Sequence, residues 1–223
     1  MTPRKPWLIA SAVLAVAVYA LLWIGYALHW NWVITTDSSL LEIGHRHGAA
    51  HPGWVTAWDV FCTVLGPTAF RLLTLVVIVF ALVRRNVRVA MFLAISVELS
   101  GVVTEIAKYA SSRPRPITAL VAAPSSSFPS GHALGVMVGV LALLTIVRPI
   151  VRRPLRAWLV ALGALTVAAV GIGRVVLNVH YPSDVLAGWA LGYAYFVACL
   201  LMMPPARPVT ATDETPAALG TSR

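Results

Sequence analysis

Three groups of residues combine cations, histidines and an aspartate at positions from which they could act on one anion. They are Lys108 through Arg115 and Pro116, then Pro129-Ser130-Gly131-His132, then Arg174, His180 and Asp184. Each group lies at the end of a long apolar run, next to a bilayer but outside its core. Ionisable residues at such places are costly and usually mark function. Together the groups could bind and transfer a phosphate.

The cations predict the phosphate-binding part of the site. Arg115 and Arg174 can each offer a bidentate fork, and Lys108 can offer a mobile point charge. A transferring phosphoryl group carries charge on three equatorial oxygens, so its catalysis is mainly positioning and electrostatic stabilisation. We expect Ser130 to cap a helix whose first backbone N–H groups, beginning at Gly131, approach the same anion.

The histidines predict the covalent chemistry. His180 and Asp184 are four residues apart. A carboxylate that accepts the proton of one ring nitrogen leaves the other nitrogen free to attack phosphorus. His132 would then protonate the leaving oxygen and later act as a base toward water. Asp184 is also expected to cap its own helix, which is the ordinary use of a carboxylate at a helix N-terminus.

The elements that position these groups are predicted to be membrane helices. Of the 223 residues, 59% are hydrophobic and only 11% are charged, whereas a soluble domain carries about 25% charged residues. The prediction is an all-α, polytopic bundle of six transmembrane helices plus an interfacial helix. The predicted spans are Trp7 to Leu28, about Thr68 to Val83, Val89 to Ala110, Ala133 to Val147, Ala157 to Leu177, and Val185 to Met203. The first could be a signal peptide, but its length favours an uncleaved span.

Between the first two spans, a polar loop is expected from about His29 to Pro52. The interfacial helix follows over Gly53 to Leu65, and Gly66-Pro67 then breaks the chain. One face of this helix carries Trp54, Trp58, Phe61 and Leu65. The histidines of the loop lack a carboxylate or cysteine at a firm spacing, so no metal site is predicted there. These histidines are His45, His47 and His51.

A single membrane-embedded domain is predicted over residues 1–203, followed by a disordered cytoplasmic tail over 204–223 that is rich in Ala, Thr and Pro. In a six-span arrangement, 11 of the 17 Lys and Arg residues fall on one side. The positive-inside rule makes that side cytoplasmic, together with both termini. The three motif groups then face the extracytoplasmic side.

Charge and cysteine content exclude two other classes of interpretation. The net charge of +9 comes from basic residues scattered at helix ends rather than gathered on a stripe, so we predict no nucleic-acid partner. Cys62 and Cys199 fall in separate apolar runs, and we expect them to be core residues rather than a disulfide. The sequence predicts no particular oligomeric state.

Lys108-x6-Arg115-Pro116, Pro129-Ser130-Gly131-His132 and Arg174-x5-His180-x3-Asp184 together resemble the signature of the type 2 phosphatidic acid phosphatase superfamily. That superfamily also includes vanadium haloperoxidases and glucose-6-phosphatase. The resemblance covers roughly Trp54 to Met203. It implies six membrane helices, a phosphohistidine on His180, and no metal or cofactor requirement. Gly173 stands where the family usually has serine, which removes one possible hydrogen bond to phosphate.

The resemblance implies a membrane lipid phosphatase that takes a lipid phosphate from the outer leaflet. Candidate substrates are a polyprenyl diphosphate, phosphatidic acid and phosphatidylglycerol phosphate. The first is favoured because Arg113 could hold a second phosphate; alternatively, Arg113 tunes the pocket field or is a solvated neighbour without a role. Two other hypotheses are a phosphotransferase of the same fold and a non-enzymatic protein that binds phospholipid headgroups. The number of apolar spans excludes a soluble haloperoxidase.

Overall fold

The computed structural model describes residues 4–205, with side chains from Lys5 onward, and every regular element in this range is a helix. The all-α prediction is thus confirmed for the described part of the chain. The helices are α1 (Arg4–Ala27), α2 (Asn31–Ala50), α3 (Pro52–Val64), α4 (Pro67–Val83), α5 (Val87–Leu93), a π-helical turn (Ala94–Glu98), α6 (Ser100–Ser111), α7 (Gly131–Val147), α8 (Arg153–Val176) and α9 (Pro182–Met202). Most of the predicted tail, residues 206–223, lies outside the described residues.

Five helical segments are long and apolar enough to cross a membrane, namely Lys5–Ala27, Pro52–Val83, Val87–Ser111, Arg153–Val176 and Pro182–Met202. The second joins α3 to α4, and the third joins α5, the π-helical turn and α6. A further apolar helix, α7, has 17 residues and is shorter than the roughly 20 that span a bilayer. These helices support a multi-pass membrane protein, while the count of six spans stays a prediction.

The predicted polar loop from about His29 to Pro52 is wrong, because most of it forms α2. Val33, Asp37 and Leu41 are buried and recur every four residues, so one face of this polar sequence packs on the bundle. The polar residues that obscured this pattern lie mostly on the exposed face.

The histidines of this segment lie near the end of α2. The rings of His47 and His51 stack with their centroids 4.4 Å apart. Within the described residues, no group of three His, Cys, Asp or Glu side chains is arranged to hold a metal ion.

A helix, α3, is present where the interfacial helix was predicted, separated from α4 by Leu65 and Gly66, while its interfacial placement stays a prediction. Its aromatic side chains form a ladder of edge contacts, with centroids 5.7 Å apart for Trp54 and Trp58. This ladder packs toward α8, where a Cβ at Gly173 would lie 2.7 Å from Cε3 of Trp58 and 2.5 Å from Sγ of Cys62. The missing side chain of Gly173 therefore allows α3 to approach α8 closely.

The helices α7 and α9 form the centre of the bundle. Their shared apolar core includes Leu134, Val138, Phe196 and Val197. A Cβ at Gly188 of α9 would lie 2.6 Å from the carbonyl oxygen of Ser130, so glycine is required where α9 passes the start of α7. Along α9 lies α1, and the hydroxyls of Ser11 and Tyr193 are 2.8 Å apart. This packing holds the first turns of α7 and α9 against each other.

The two ends of the bundle differ in chemistry. At one end, the α4–α5 and α7–α8 connections and their flanking turns carry Arg84, Arg85, Arg88, Arg148, Arg152, Arg153 and Arg156. The opposite end holds the last turns of α6 and α8 and the first turns of α7 and α9, which carry the three motif groups. Cys62 and Cys199 lie in the interior as buried free thiols, as predicted.

Candidate active site

Four helix ends bring the three motif groups together. They carry Lys108 on α6, Ser130, Gly131 and His132 at the start of α7, Arg174 on α8, and Asp184 on α9. The backbone N–H of Ser130 donates to the carbonyl of Asp184 at 2.9 Å, which ties the second group to the third. Groups that are far apart in sequence therefore meet at one end of the bundle.

Lys108 and Arg115 converge on the hydroxyl of Ser125. Lys108 Nζ donates to Ser125 Oγ at 2.5 Å, and Arg115 Nη2 donates to the same oxygen at 3.4 Å. The Arg115 fork is held by the carbonyls of Ser125 and Val179, at 2.7 and 2.6 Å. Burial, followed by repulsion from Arg174, lowers the pKa of Arg115, which nevertheless stays charged at neutral pH. Two cations can therefore share one anionic oxygen near Ser125.

Arg174 is buried in the last turn of α8, with 7% of its surface exposed. Its Nε has no hydrogen-bond partner within the part of the chain that the structure describes. A buried donor on a cation is costly when it is left unpaired. An anionic ligand would supply the missing partner.

His180 is 1% exposed, and its two ring nitrogens face groups of opposite charge. Nδ1 lies 3.5 Å from Asp184 Oδ2, and Nε2 lies 3.3 Å from Arg115 Nη1. Burial lowers the pKa of His180 to about 4; Arg115 and Arg174 add to this lowering, and Asp184 opposes it. The ring is therefore neutral at neutral pH, with Nε2 turned toward the cations. The Nδ1 contact is long, and such contacts tighten when a substrate binds.

Asp184 is completely buried and receives several donors. The Tyr181 backbone N–H donates to Oδ2 at 2.9 Å, and the Ser127 hydroxyl makes a short hydrogen bond to the same oxygen. Arg113 Nη1 donates to Oδ1 at 2.6 Å. The bond from Tyr181 confirms the predicted capping of α9. A carboxylate fixed by so many donors can hold the orientation of the His180 ring.

The start of α7 has the predicted form of an anion-binding helix terminus. Ser130 is buried and its Oγ accepts from the N–H of Ala133 at 3.4 Å, which confirms the N-cap prediction. A Cβ at Gly131 would lie 3.1 Å from Thr104 and 3.9 Å from Lys108 Cε. The first free N–H groups of α7 thus lie next to one of the three cations.

His132 occupies the first turn of α7. Its ring packs against Gly66, just before α4. It lies within electrostatic range of Lys108, Arg115, Arg174 and His180. The structure therefore brings both histidines into the same cationic pocket.

The surroundings of Arg113 differ from two of those predicted for it, namely a second phosphate and solvent. It is 6% exposed, and its guanidinium bridges two carboxylates, at 2.6 Å to Asp184 and 2.8 Å to Asp37. The rings of Tyr26 and Tyr181 stack on it at 4.6 and 3.9 Å. Its pKa is raised because the two carboxylates outweigh the opposing effect of burial. The prediction that Arg113 is solvated is wrong. Its hydrogen-bond donors are engaged by the two carboxylates, where a second phosphate was expected.

Three further residues of the site were not predicted from the sequence, namely Asp37, Ser125 and Ser127. Asp37 had a signal, because it interrupts the apolar stripe formed by Val33 and Leu41, where a carboxylate needs a buried partner. The two serines lie in the connection between α6 and α7 and had no periodic pattern to reveal them.

A polar cavity of about 600 Å³ adjoins the cationic pocket between α4 and α6. Lys108 and Gly131 line one part of it, and the exposed side chains of Val102 and Ile106 line another. Arg71, Glu98 and Glu105 are the other charged residues of its lining. The cavity connects phosphate-binding candidates with the apolar outer surface of the bundle.

The fold and the site define a helical membrane protein whose buried pocket combines three cations with two histidines. The sequence model of the PAP2 superfamily matches residues 89–208, more than half of the chain. The chain belongs to this superfamily, which confirms the resemblance found in its motifs.

Two comparisons show known proteins to which the chain is similar. Over 116 residues the chain is 34% identical to the undecaprenyl-diphosphatase of Sulfolobus acidocaldarius. The match covers 49% of this chain, which thus aligns with about half (52%) of that relative. The fold is similar to the crystal structure of a transmembrane PAP2 type phosphatidylglycerolphosphate phosphatase from Bacillus subtilis, with a TM-score of 0.76 and 22% identity. That likeness covers 90% of this chain and 99% of the other.

Proposed function

We propose that the protein hydrolyses a phosphomonoester or diphosphate of a membrane lipid through a phosphohistidine on His180. The observation that carries this proposal is the position of the His180 ring. Its Nε2 faces Arg115 at 3.3 Å, while Nδ1 faces Asp184 at 3.5 Å. This is the arrangement that a nucleophilic imidazole needs, with an orienting carboxylate behind it and cations ahead of it.

In the first step, Nε2 of His180 forms a bond to phosphorus, and the bond between phosphorus and the leaving oxygen breaks. Lys108, Arg115 and Arg174 stabilise the charge on the equatorial oxygens, together with the first N–H groups of α7. His132 gives its proton to the leaving oxygen. Water then attacks the phosphohistidine, His132 takes a proton from that water, and inorganic phosphate leaves with the His180 ring restored.

A polyprenyl diphosphate is the substrate that we favour. Its support is the similarity of the chain to an undecaprenyl-diphosphatase. Arg113 no longer supports it, because the donors that could have held a second phosphate are engaged by carboxylates. The cavity between α4 and α6 offers a lateral route from the bilayer to Lys108 and Gly131. Phosphatidic acid and phosphatidylglycerol phosphate are the other lipids to test.

The decisive experiment measures phosphate release from these three lipids by purified protein in detergent, with a chelator present. We expect release from at least one lipid, and no release by the His180→Ala variant. A phosphotransferase would instead form product only when an acceptor is added. A headgroup-binding protein would bind lipid equally well with His180→Ala and release no phosphate in either form, which would overturn the proposal.

We further propose that the pocket faces the extracytoplasmic side. The support is the segregation of the arginine-rich connections at the opposite end of the bundle. Exposed Ser112 and Arg152 are suitable for single cysteines, because Cys62 and Cys199 are buried. A reagent that does not cross the membrane should label Ser112→Cys but not Arg152→Cys in intact cells. The reverse pattern would contradict this orientation.

A further inference from the structure

Helix α2 contributes a buried carboxylate to the site, and we propose that this residue, Asp37, is a positioning residue for the pair His180 and Asp184. The inference rests on the proposed phosphohistidine mechanism. Asp37 lies outside residues 89–208, the part of the chain that the superfamily model matches. Its role therefore has to be established from its own contacts.

Asp37 is 2% exposed, and both of its oxygens are engaged. Oδ1 accepts the backbone N–H of Ser183 at 3.0 Å, and Oδ2 accepts the Ser183 hydroxyl at 2.6 Å. Oδ2 also accepts Arg113 Nη2 at 2.8 Å. Ser183 is the second residue of α9, directly before Asp184. Asp37 therefore caps α9 from another helix while Asp184 caps it from within.

The position of Asp37 is itself fixed because α2 is attached to the site at a second point. Asn178 donates to the carbonyl of Leu41, one turn after Asp37, at 3.0 Å. The same side-chain nitrogen donates to the hydroxyl of Thr118 at 3.0 Å. Asn178 lies two residues before His180. The segment that carries His180 is thus held between α2 on one side and α9 on the other.

Charge gives Asp37 a role beyond anchoring. Arg113 alone would neutralise Asp184, whereas the cluster of Arg113, Asp37 and Asp184 keeps one net negative charge. The His180 ring gains positive charge when Nε2 bonds to phosphorus. In a buried site, a net negative cluster behind Nδ1 favours that change more than a neutral cluster does.

The effect should fall on turnover and not on substrate binding. None of the described hydrogen bonds of Asp37 involves Lys108, Arg115 or Arg174. Loss of the comparable outer hydrogen bond behind a metal-bound histidine typically costs about 10- to 100-fold in activity, and we expect a loss of that order here. Substitution of Asp37 should therefore lower kcat and leave KM unchanged.

The test compares Asp37→Asn with Glu42→Gln in the full chain, using the lipid phosphate on which the wild-type protein is most active. Glu42 lies on the same helix, and its side chain is 70% exposed. We expect Asp37→Asn to lower kcat by about 10- to 100-fold with KM within about twofold of wild type. Glu42→Gln should leave both constants unchanged. Size-exclusion chromatography and thermal melting establish the folded fraction of each variant.

Arg113→Lys is the second variant, because lysine keeps the charge but cannot bridge two carboxylates as a fork. We expect a similar loss of kcat without a change in KM. A folded Asp37→Asn protein with wild-type kcat would overturn the inference and leave the proposed function intact. If neither variant folds, Asp37 and Arg113 serve folding alone, and the inference is also overturned. A wild-type protein that releases no phosphate from any lipid would refute the proposed function, and this inference with it.

Discussion

Arg113 and Arg174 are two buried arginines at the same end of the bundle, and their surroundings are opposite. They are 6% and 7% exposed. Arg113 bridges two carboxylates and has two tyrosine rings against its guanidinium, whereas Nε of Arg174 has no partner among the described residues. A cation whose donors are engaged by the protein's own carboxylates holds structure, and a buried donor left without a partner is available to a ligand. In the proposed mechanism, the site thus has a carboxylate side that orients His180 and a cationic side that receives phosphate.

The largest expected effect comes from removing the residue between the two sides. His180→Ala should lower kcat by about a thousandfold or more, because no other group replaces the nucleophile. Binding of a lipid phosphate should persist, since the three cations remain. Phosphate release and lipid binding by the same preparation provide the measurement. Turnover close to that of wild type would mean that His180, which the carboxylate side orients, is not the nucleophile.

The next prediction separates the two arginines. Arg174→Gln should lower kcat by about 100- to 1000-fold, because one stabilising donor of the transition state is lost. Its thermal stability should fall less, since Nε of Arg174 has no partner among the described residues, whereas Arg113 is bonded to two carboxylates. Arg113→Gln should lower stability by about 3–5 kcal/mol, because it leaves two buried carboxylates unpaired. Unfolding in denaturant and initial rates would be measured for both. Equal loss of stability in the two variants would contradict the comparison.

A smaller effect is expected where α3 meets the cationic side. Gly173→Ser restores the residue that the family usually has, but its Cβ would lie 2.5 Å from Cys62 Sγ. Overpacking of this kind costs about 1–3 kcal/mol, so we expect a lower melting temperature without a gain in activity. Adding Cys62→Ala should recover part of the loss. An active and fully stable Gly173→Ser protein would show that Trp58 and Cys62 do not fill the space of the missing hydroxyl.

The pH dependence should show the smallest change under ordinary assay conditions. Burial lowers the pKa of His180 to about 4, and the ring must be neutral to attack phosphorus. The acidic limb that reports the His180 ring should therefore lie near pH 4, where the ring gains a proton, and not near neutral pH. The pH profile of kcat/KM tests this, with the ionisation of the lipid phosphate determined separately. An acidic limb near pH 6.5, the ordinary value of histidine, would indicate that water or substrate reverses the effect of burial.

The helices could be predicted where one physical signal dominated. Long apolar runs marked the helices, and Ser130 and Asp184 marked helix starts that the structure confirms. The segment from His29 to Pro52 could not be predicted in this way, since α2 is polar in composition and buries only a narrow stripe. Its helical structure depends on the surface of α8 and α9 against which that stripe packs. The same dependence hid Asp37, whose partners Arg113 and Ser183 are distant in sequence.

The chain alone reveals the chemical groups, because a phosphate needs cations and a nucleophile whatever the fold. It also reveals the class of architecture, because so many apolar residues cannot remain in water. Helix packing selects which arginine is bonded to carboxylates and which has a donor without a partner. Arg113 and Arg174 are identical side chains, and their surroundings differ because α2 brings Asp37 to Arg113, while no described carboxylate is hydrogen-bonded to Nε of Arg174. That choice depends on distances between helices, which no local pattern in the chain contains.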